Sequence, residues 1–184
     1  VTLGFVDCSP FTAVYKASEP EAMIGYTTYN TIHDAVGAAK DGDVVVLLKD
    51  IELTYFLIID KNITLDLDNH TIEHKDYSLG YMISVDDGAT VTVKNGTLQD
   101  DWYYWYWDNS TNDWNWYYTY TVLPSPDANL TLENVNVQGG YYCIYQDDGV
   151  NITLNNSTLT PNRSAILLYD STLTINEGTT INSS

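Results

Sequence analysis

Carboxylates are the most abundant ionisable groups in this 184-residue chain: 25 acidic residues stand against 7 basic ones, for a formal net charge of −18. Several of them recur at one place in a repeating pattern. Asp86-Asp87, Asp127, Asp147-Asp148 and Asp170 each sit a few residues before an apolar-Thr-apolar triplet. Stacked repeats would align them as a ladder of like charges. Such a ladder either fans into water or holds a hard cation such as Ca²⁺, for which Asp87 and Asp148 are the candidate ligands. Neither an EF-hand nor a glycine-rich nonapeptide spacing accompanies them, so solvated turns are the favoured reading.

For catalysis the inventory is thin, and no catalytic residue is nominated. His70 and His74 have the spacing of a zinc pair on a helix, but the residues around them alternate as a strand, so these two and His33 read as surface polar groups. A polysaccharide lyase would need a base beside its acids, and Arg163 is the only arginine. Paired carboxylates for glycoside hydrolysis stay open, because their separation is not readable from sequence. Nucleophile-elbow and phosphate-loop motifs are absent. The acidic balance argues against nucleic acid and anionic lipid as partners, and no apolar run reaches the length of a membrane span.

Three further groups carry chemistry. Cys8 and Cys143 are the only cysteines, and are read either as a disulfide or as two thiols with Cys143 buried. Ten Asn-x-Ser/Thr acceptors, at Asn62, Asn69, Asn95, Asn109, Asn129, Asn151, Asn155, Asn156, Asn162 and Asn182, exceed what composition gives. Asn at turns with Thr on outward faces would generate them structurally, and an extracellular glycoprotein would use them. Finally, all five tryptophans fall between residues 101 and 118, with Tyr104, Tyr106 and Tyr118 among them. Trp102, Trp105 and Trp107 precede a polar centre at 108–113, and Trp114 and Trp116 follow it, the pattern of a projecting β-hairpin. One thin hairpin cannot bury all those rings. They meet the body, another subunit or a sugar.

The elements that position these groups are short strands. Ile63-Thr64-Leu65, Val91-Thr92-Val93, Leu130-Thr131-Leu132, Ile152-Thr153-Leu154 and Leu173-Thr174-Ile175 alternate with the period of a half-buried strand. A second short strand follows each, and a third precedes each of the later four. Ile83, Val122 and Ile144 each lie eight residues before the next triplet, which sets a register. The steps between triplets are 28, 39, 22 and 21 residues, by subtraction of those positions. Three short strands per unit of that length predict an all-β parallel β-helix, a solenoid, over an antiparallel sandwich. Residues 30–42 predict the one helix, with Ile32, Ala35, Val36 and Ala39 on one face, as a cap on the first coil.

Residues 29–72 carry a more specific likeness. Tyr29-Asn30-Thr31-Ile32-His33-Asp34-Ala35-Val36, then Ala39-Lys40-Asp41-Gly42-Asp43-Val44-Val45-Val46-Leu47-Leu48-Lys49-Asp50-Ile51, then Ile63-Thr64-Leu65-Asp66-Leu67-Asp68-Asn69-His70-Thr71-Ile72 resemble the opening of pectin-lyase-like right-handed β-helix modules in adhesin-like surface proteins of bacteria and archaea. The resemblance implies a capped right-handed β-helix, an extracellular location at the cell surface, and usually no catalytic activity. This chain departs from the pattern at Asp68-Asn69, where Asn-Gly is common, and in its aromatic insertion.

The expected organisation is therefore an N-terminal extension over residues 1–28 and a β-helix domain over 29–184 with the insertion at 101–118. Val1, Leu3, Phe5, Val6, Phe11, Val14 and Tyr15 alternate as strands that a neighbouring subunit's edge can accept, and Ile181 lies in the last strand. A start at Val1 reads as a processed chain or an excised piece. The first functional expectation is a non-enzymatic, self-assembling, head-to-tail subunit of an extracellular filament, partnered by its own copies. The second is an adhesin module that binds polysaccharide through the aromatic hairpin. A polysaccharide-active enzyme is the third.

Overall fold

The computed structural model describes residues 19–74, 80–86, 88–100, 103–146 and 148–182, the side chains of 103–106, 116 and 117 excepted. Two short strands, β1 (Ala22–Ile24) and β2 (Thr27–Tyr29), lead into helix α1 (Ile32–Ala38). Strands β3 (Val44–Leu47), β4 (Ile51–Leu53), β5 (Leu57–Ile59), β6 (Thr64–Asp66), β7 (Thr71–His74) and β8 (Tyr81–Val85) precede the long β9 (Thr90–Asp100). The hairpin β10 (Tyr103–Asp108) and β11 (Asp113–Tyr118) follows, then β12 (Tyr120–Pro124) and the long β13 (Asn129–Gly139). The chain continues through β14 (Tyr142–Gln146), β15 (Asn151–Asn155), β16 (Thr158–Thr160), β17 (Ser164–Leu168), β18 (Thr172–Ile175) and β19 (Thr180–Ile181).

Helix α1 is shorter than the stretch 30–42 expected for it. Thr31 caps it, its Oγ1 accepting from the Asp34 N–H at 3.0 Å, while the Glu21 carboxylate accepts from the Ile32 N–H at 2.9 Å. Two of the orphan donors of the first turn are thereby met. The helix stops at Ala39, which turns extended while its N–H still reaches Ala35 O and Val36 O. Two turns are too few to persist alone. Burial of Ile32, Ala35 and Val36 in the common core holds them.

The apolar-Thr alternation produces parallel strand stacks. In the first, β18, β15, β13, β9, β6 and β3 pair side by side, all parallel. Val91, Leu130, Ile152 and Leu173 fall in one column and Val93, Leu132, Leu154 and Ile175 in the next, as the alternation requires. Across the bend of β9 and β13 runs a second stack, in which Ile72, Leu98, Val137, Leu159 and Ile181 align. A separate sheet of β5, β8, β12, β14 and β17 aligns Ile83, Val122, Ile144 and Ile166. The inward residues of these strands, those of β18 and β19 excepted, share one core with α1. Each fully buried Leu, Ile or Val contributes about 1.5–3 kcal/mol.

The expected turn between the first and second strands of each unit is, in β9 and β13, only a bend within one strand. A single residue in the left-handed region makes it: Asn95 (φ 58°) and Asn134 (φ 54°), with Asn156 (φ 46°) at the same place between β15 and β16. Asparagine tolerates this conformation better than most residues. The glycine after Asn95 is obligatory, because a Cβ on Gly96 would lie 2.5 Å from both His70 O and Leu67 Cβ.

The N-terminal boundary also differs from the expected one. Residues 22–29 belong to the first stack: β1 runs antiparallel to β3, with Ala22 opposite Leu47 and fully buried, and β2 pairs β1 on its other side. The hairpin turn thus gives this end of the sheet an antiparallel edge. Val1, Leu3, Phe5, Val6, Phe11, Val14 and Tyr15, as well as Cys8, Trp102 and Asp87, lie outside the described residues.

Candidate functional site

The aromatic insertion is an antiparallel hairpin in the register its composition suggests: Trp105 is opposite Trp116, Trp107 opposite Trp114, and Asp108 opposite Asp113. Strand alternation then puts positions 103, 105, 107, 114, 116 and 118 on one face, and 104, 106, 108, 113, 115 and 117 on the other. The tip is shaped by Asp108, whose Oδ1 accepts from the Ser110 N–H (2.8 Å) and Oγ (2.6 Å), while Oδ2 accepts from Asn115 Nδ2 (3.1 Å). The Ser110 hydroxyl and N–H hold the Asp108 carboxyl below the usual range. Beside it, the Trp107 and Trp114 rings meet edge to face, 76° apart with centroids at 5.6 Å, and remain 44% and 58% exposed. At the base, the Tyr118 ring lies tilted by 33° against Tyr141 (centroids 3.6 Å apart), over which Arg163 places its guanidinium at 5.2 Å.

A second surface lies on the edge formed by β17, β18 and β19. Leu173, Ile175 and Ile181 occupy the inward columns, where Ile152, Leu154 and Leu159 of the preceding strands are buried, yet they are 39%, 51% and 42% exposed. Each of the three strands pairs on one side only among the described residues. Arg163, Ala165, Ile166, Leu173, Ile181 and Asn182 line an open depression of about 370 Å³ on this edge. The exposed large apolar residues fall into three places: Tyr26, Val44, Leu48, Tyr55 and Ile58 near the α1 end, Tyr169, Leu173, Ile175 and Ile181 at the β18 end, and the two tryptophans of the hairpin tip.

The ten glycosylation acceptors are not equivalent. The bend residues form an amide ladder in which Asn156 Nδ2 donates to Asn134 Oδ1 (2.6 Å), Asn134 Nδ2 to Asn95 Oδ1 (3.2 Å) and Asn95 Nδ2 to Asp66 Oδ1 (3.0 Å). Asn151 Nδ2 donates to Asn129 Oδ1, Asn129 Nδ2 to Asp127 O, and Asn182 Nδ2 to Thr160 Oγ1. Asn62 and Asn155 are engaged through Oδ1, which accepts from the Thr90 N–H and from Asn176 Nδ2 respectively. Asn69, Asn109 and Asn162 are exposed at turns. Burial alone would raise the Asp66 carboxyl, but hydrogen bonds from Asn95, the Asp68 N–H and Lys94, with the Lys94 charge, hold it below the usual range.

Two expectations change in the interior. His74, read as a surface group, is buried, with Nδ1 2.9 Å from Oδ1 of the equally buried Asp100. Leu53, His74, Asp100 and Gly139 occupy one inward column, and a Cβ on Gly139 would meet Asp100 O at 1.7 Å. Cys143 is a buried free thiol near Gly139 O (3.7 Å), and burial pushes its pKa up to about 12. His33 contacts Phe56 O at 3.1 Å, and His70 Nδ1 lies 3.4 Å from the Asp50 carboxylate. Asp148, Asp127 and Asp170 are exposed, and Asp86 accepts from the Ser84 and Ser125 hydroxyls. Among the described residues, no three His, Cys, Asp or Glu side chains form a metal cluster. No described helix is long and apolar enough to cross a membrane.

The sequence pattern missed one surface feature. On the outer face of the second sheet, Tyr81, Tyr120 and Tyr142 form a column, and Tyr145 stacks on Tyr120 at 4.5 Å and 13°. The signal was present in the tyrosine that opens each of those strands. No family model, curated protein or solved structure matches the chain.

Proposed function

We propose that the chain is a non-enzymatic structural module of an extracellular surface assembly: a right-handed parallel β-helix, capped by α1, whose strand stacks continue into a second copy placed head to tail. The observation that carries this reading is the contrast between equivalent columns. Ile152, Leu154 and Leu159 are covered by the next strands, whereas Leu173, Ile175 and Ile181 have the same inward register and remain open. Parallel strand edges with an exposed apolar row are templates for further strands.

A second copy suits that edge for two reasons. Apolar groups are also exposed toward the opposite end, Tyr26, Leu48 and Tyr55 among them, for end-to-end contact to meet. Residues 1–6 alternate Val, Thr, Leu, Gly, Phe, Val, close to the Thr-Leu-Thr-Ile of β18 beside which they would lie. Contacts between unlike ends do not close on themselves, and so they build linear polymers. The abundance of Asn-x-Ser/Thr acceptors and the acidic composition support the extracellular setting.

The test is light scattering and negative-stain electron microscopy of the purified chain, of a deletion of residues 1–18, and of the double variant I175D/I181D. Linear particles whose mass rises with concentration, and which both changes reduce to monomer, are the expected result. A wild-type chain that stays monomeric at every concentration would sink the reading.

A further inference from the structure

We propose that the tryptophan-bearing face of the β10–β11 hairpin is a binding strip for an uncharged, pyranose-based polysaccharide, centred on the corner between Trp107 and Trp114. The rings of this corner stand at 76° with centroids 5.6 Å apart, and both are about half exposed. Two rings at that angle leave a concave notch. A pyranose fits it by laying its C–H-rich face on one ring and its rim against the other, while its hydroxyls point outward.

Polar partners for those hydroxyls are at the turn beside the notch. The Asp108 carboxylate, on the opposite face, is held by Ser110 and Asn115 and fixes the turn that carries these side chains. Asn109, Thr111, Asn112 and Asp113 are exposed around the same tip. The backbone register puts positions 105 and 116 next along this face, before the base where Tyr118 packs against Tyr141.

The chemistry of the exposed groups separates this surface from the ends of the stack. At the β18 end the open apolar residues in the inward columns are aliphatic, suited to packing against more strands; at the tip they are indoles set among Asp, Asn, Ser and Thr. The tyrosine column of the second sheet is different again, because Tyr145 stacks on the Tyr120 ring and Tyr142 is tilted against it at 5.9 Å. An anionic glycan is disfavoured: the chain carries a net charge of −18, and residues 103–118 include Asp108 and Asp113 but no lysine or arginine.

The experiment is affinity gel electrophoresis of the full chain through soluble β-glucan, xylan, galactomannan and polygalacturonate, with W107A/W114A run in parallel. Tryptophan fluorescence titration quantifies any hit. Retardation by at least one of the three neutral polymers but not by polygalacturonate, weakened about tenfold or more in the variant, is the expected result. Both side chains are exposed, so the variant should keep its far-UV spectrum and unfolding midpoint. No retardation by any neutral polymer, or equal retardation of the variant, overturns the proposal. A variant that binds nothing and also has a lower particle mass than wild type without glycan overturns it too, by making the tip a contact between copies. Head-to-tail stacking is read separately, by the mass of I175D/I181D, so either proposal can fail alone.

Discussion

Leu154 and Ile175 occupy the same column on successive strands, opposite each other in the β15–β18 ladder, and differ in what covers them. Leu154 is fully buried. Its replacement by alanine removes the transfer free energy of the lost atoms and opens a cavity, for a cost of about 2–5 kcal/mol. For a chain of this size that lowers the unfolding midpoint by roughly 5–15 °C. Ile175 is half exposed in the single chain, so the same truncation there should cost no more than about 1 kcal/mol. The measurement is thermal and urea unfolding of L154A and I175A by circular dichroism, at a dilution where the wild type is monomeric and again about fiftyfold more concentrated, a span over which mass action favours any assembly by roughly 2 kcal/mol. L154A should be destabilised at both concentrations. I175A should be near wild type when dilute and fall behind it when concentrated, where the wild type gains stability from assembly and the variant does not. Equal destabilisation of the two variants at high dilution would refute the reasoning, because Ile175 would then be covered within one chain.

Asn134 holds φ 54° while linking Asn95 to Asn156 through its amide. N134A should therefore lose about 2 kcal/mol, part of it left-handed backbone strain and part of it hydrogen bonding, whereas N134G keeps the backbone freedom and should lose less; urea midpoints decide the order. Asp66 has a depressed pKa in the folded chain, so its stabilising contribution is fully present above the ordinary value of 3.8 and is lost as pH falls through the lower folded value. Removing its Asn95 partner in N95A should flatten that acid limb, and urea midpoints between pH 5 and pH 2, a range taken as roughly the span of ordinary and depressed carboxylate values, report it. The Cys143 thiol, buried and raised to about 12, should resist Ellman's reagent at pH 8 until the chain unfolds; rapid reaction of two thiols in the native chain would contradict its burial.

Local pattern determined the strand register. The apolar-Thr-apolar triplets from Ile63 to Leu173 repeat a period that only an extended chain with one buried side satisfies, and the eight-residue offset from Ile83, Val122 and Ile144 carried the third strand with it. Thr31, Asp34 and the Ile32-Ala35-Val36 face likewise located the helix, and the polar centre at 108–113 located the hairpin tip, because capping and turn formation involve residues a few positions apart.

What tertiary structure decided depends on which strand lies beside which. His74 and Asp100 are 26 residues apart and meet only because β7 lies against β9, so neither residue's own surroundings in the chain reveal the buried pair. The same holds for the asparagines: Asn95 and Asn156 look like glycosylation acceptors in sequence, and stacking joins them through Asn134 as rungs of one amide ladder. Leu173 and Ile175 carry the same alternation as Ile152 and Leu154, and their exposure follows from the absence of a described strand beyond β18. Alternation states which side of a strand is apolar. Only the neighbours in space determine whether that side is covered, because burial is a property of the assembled stack rather than of any one strand.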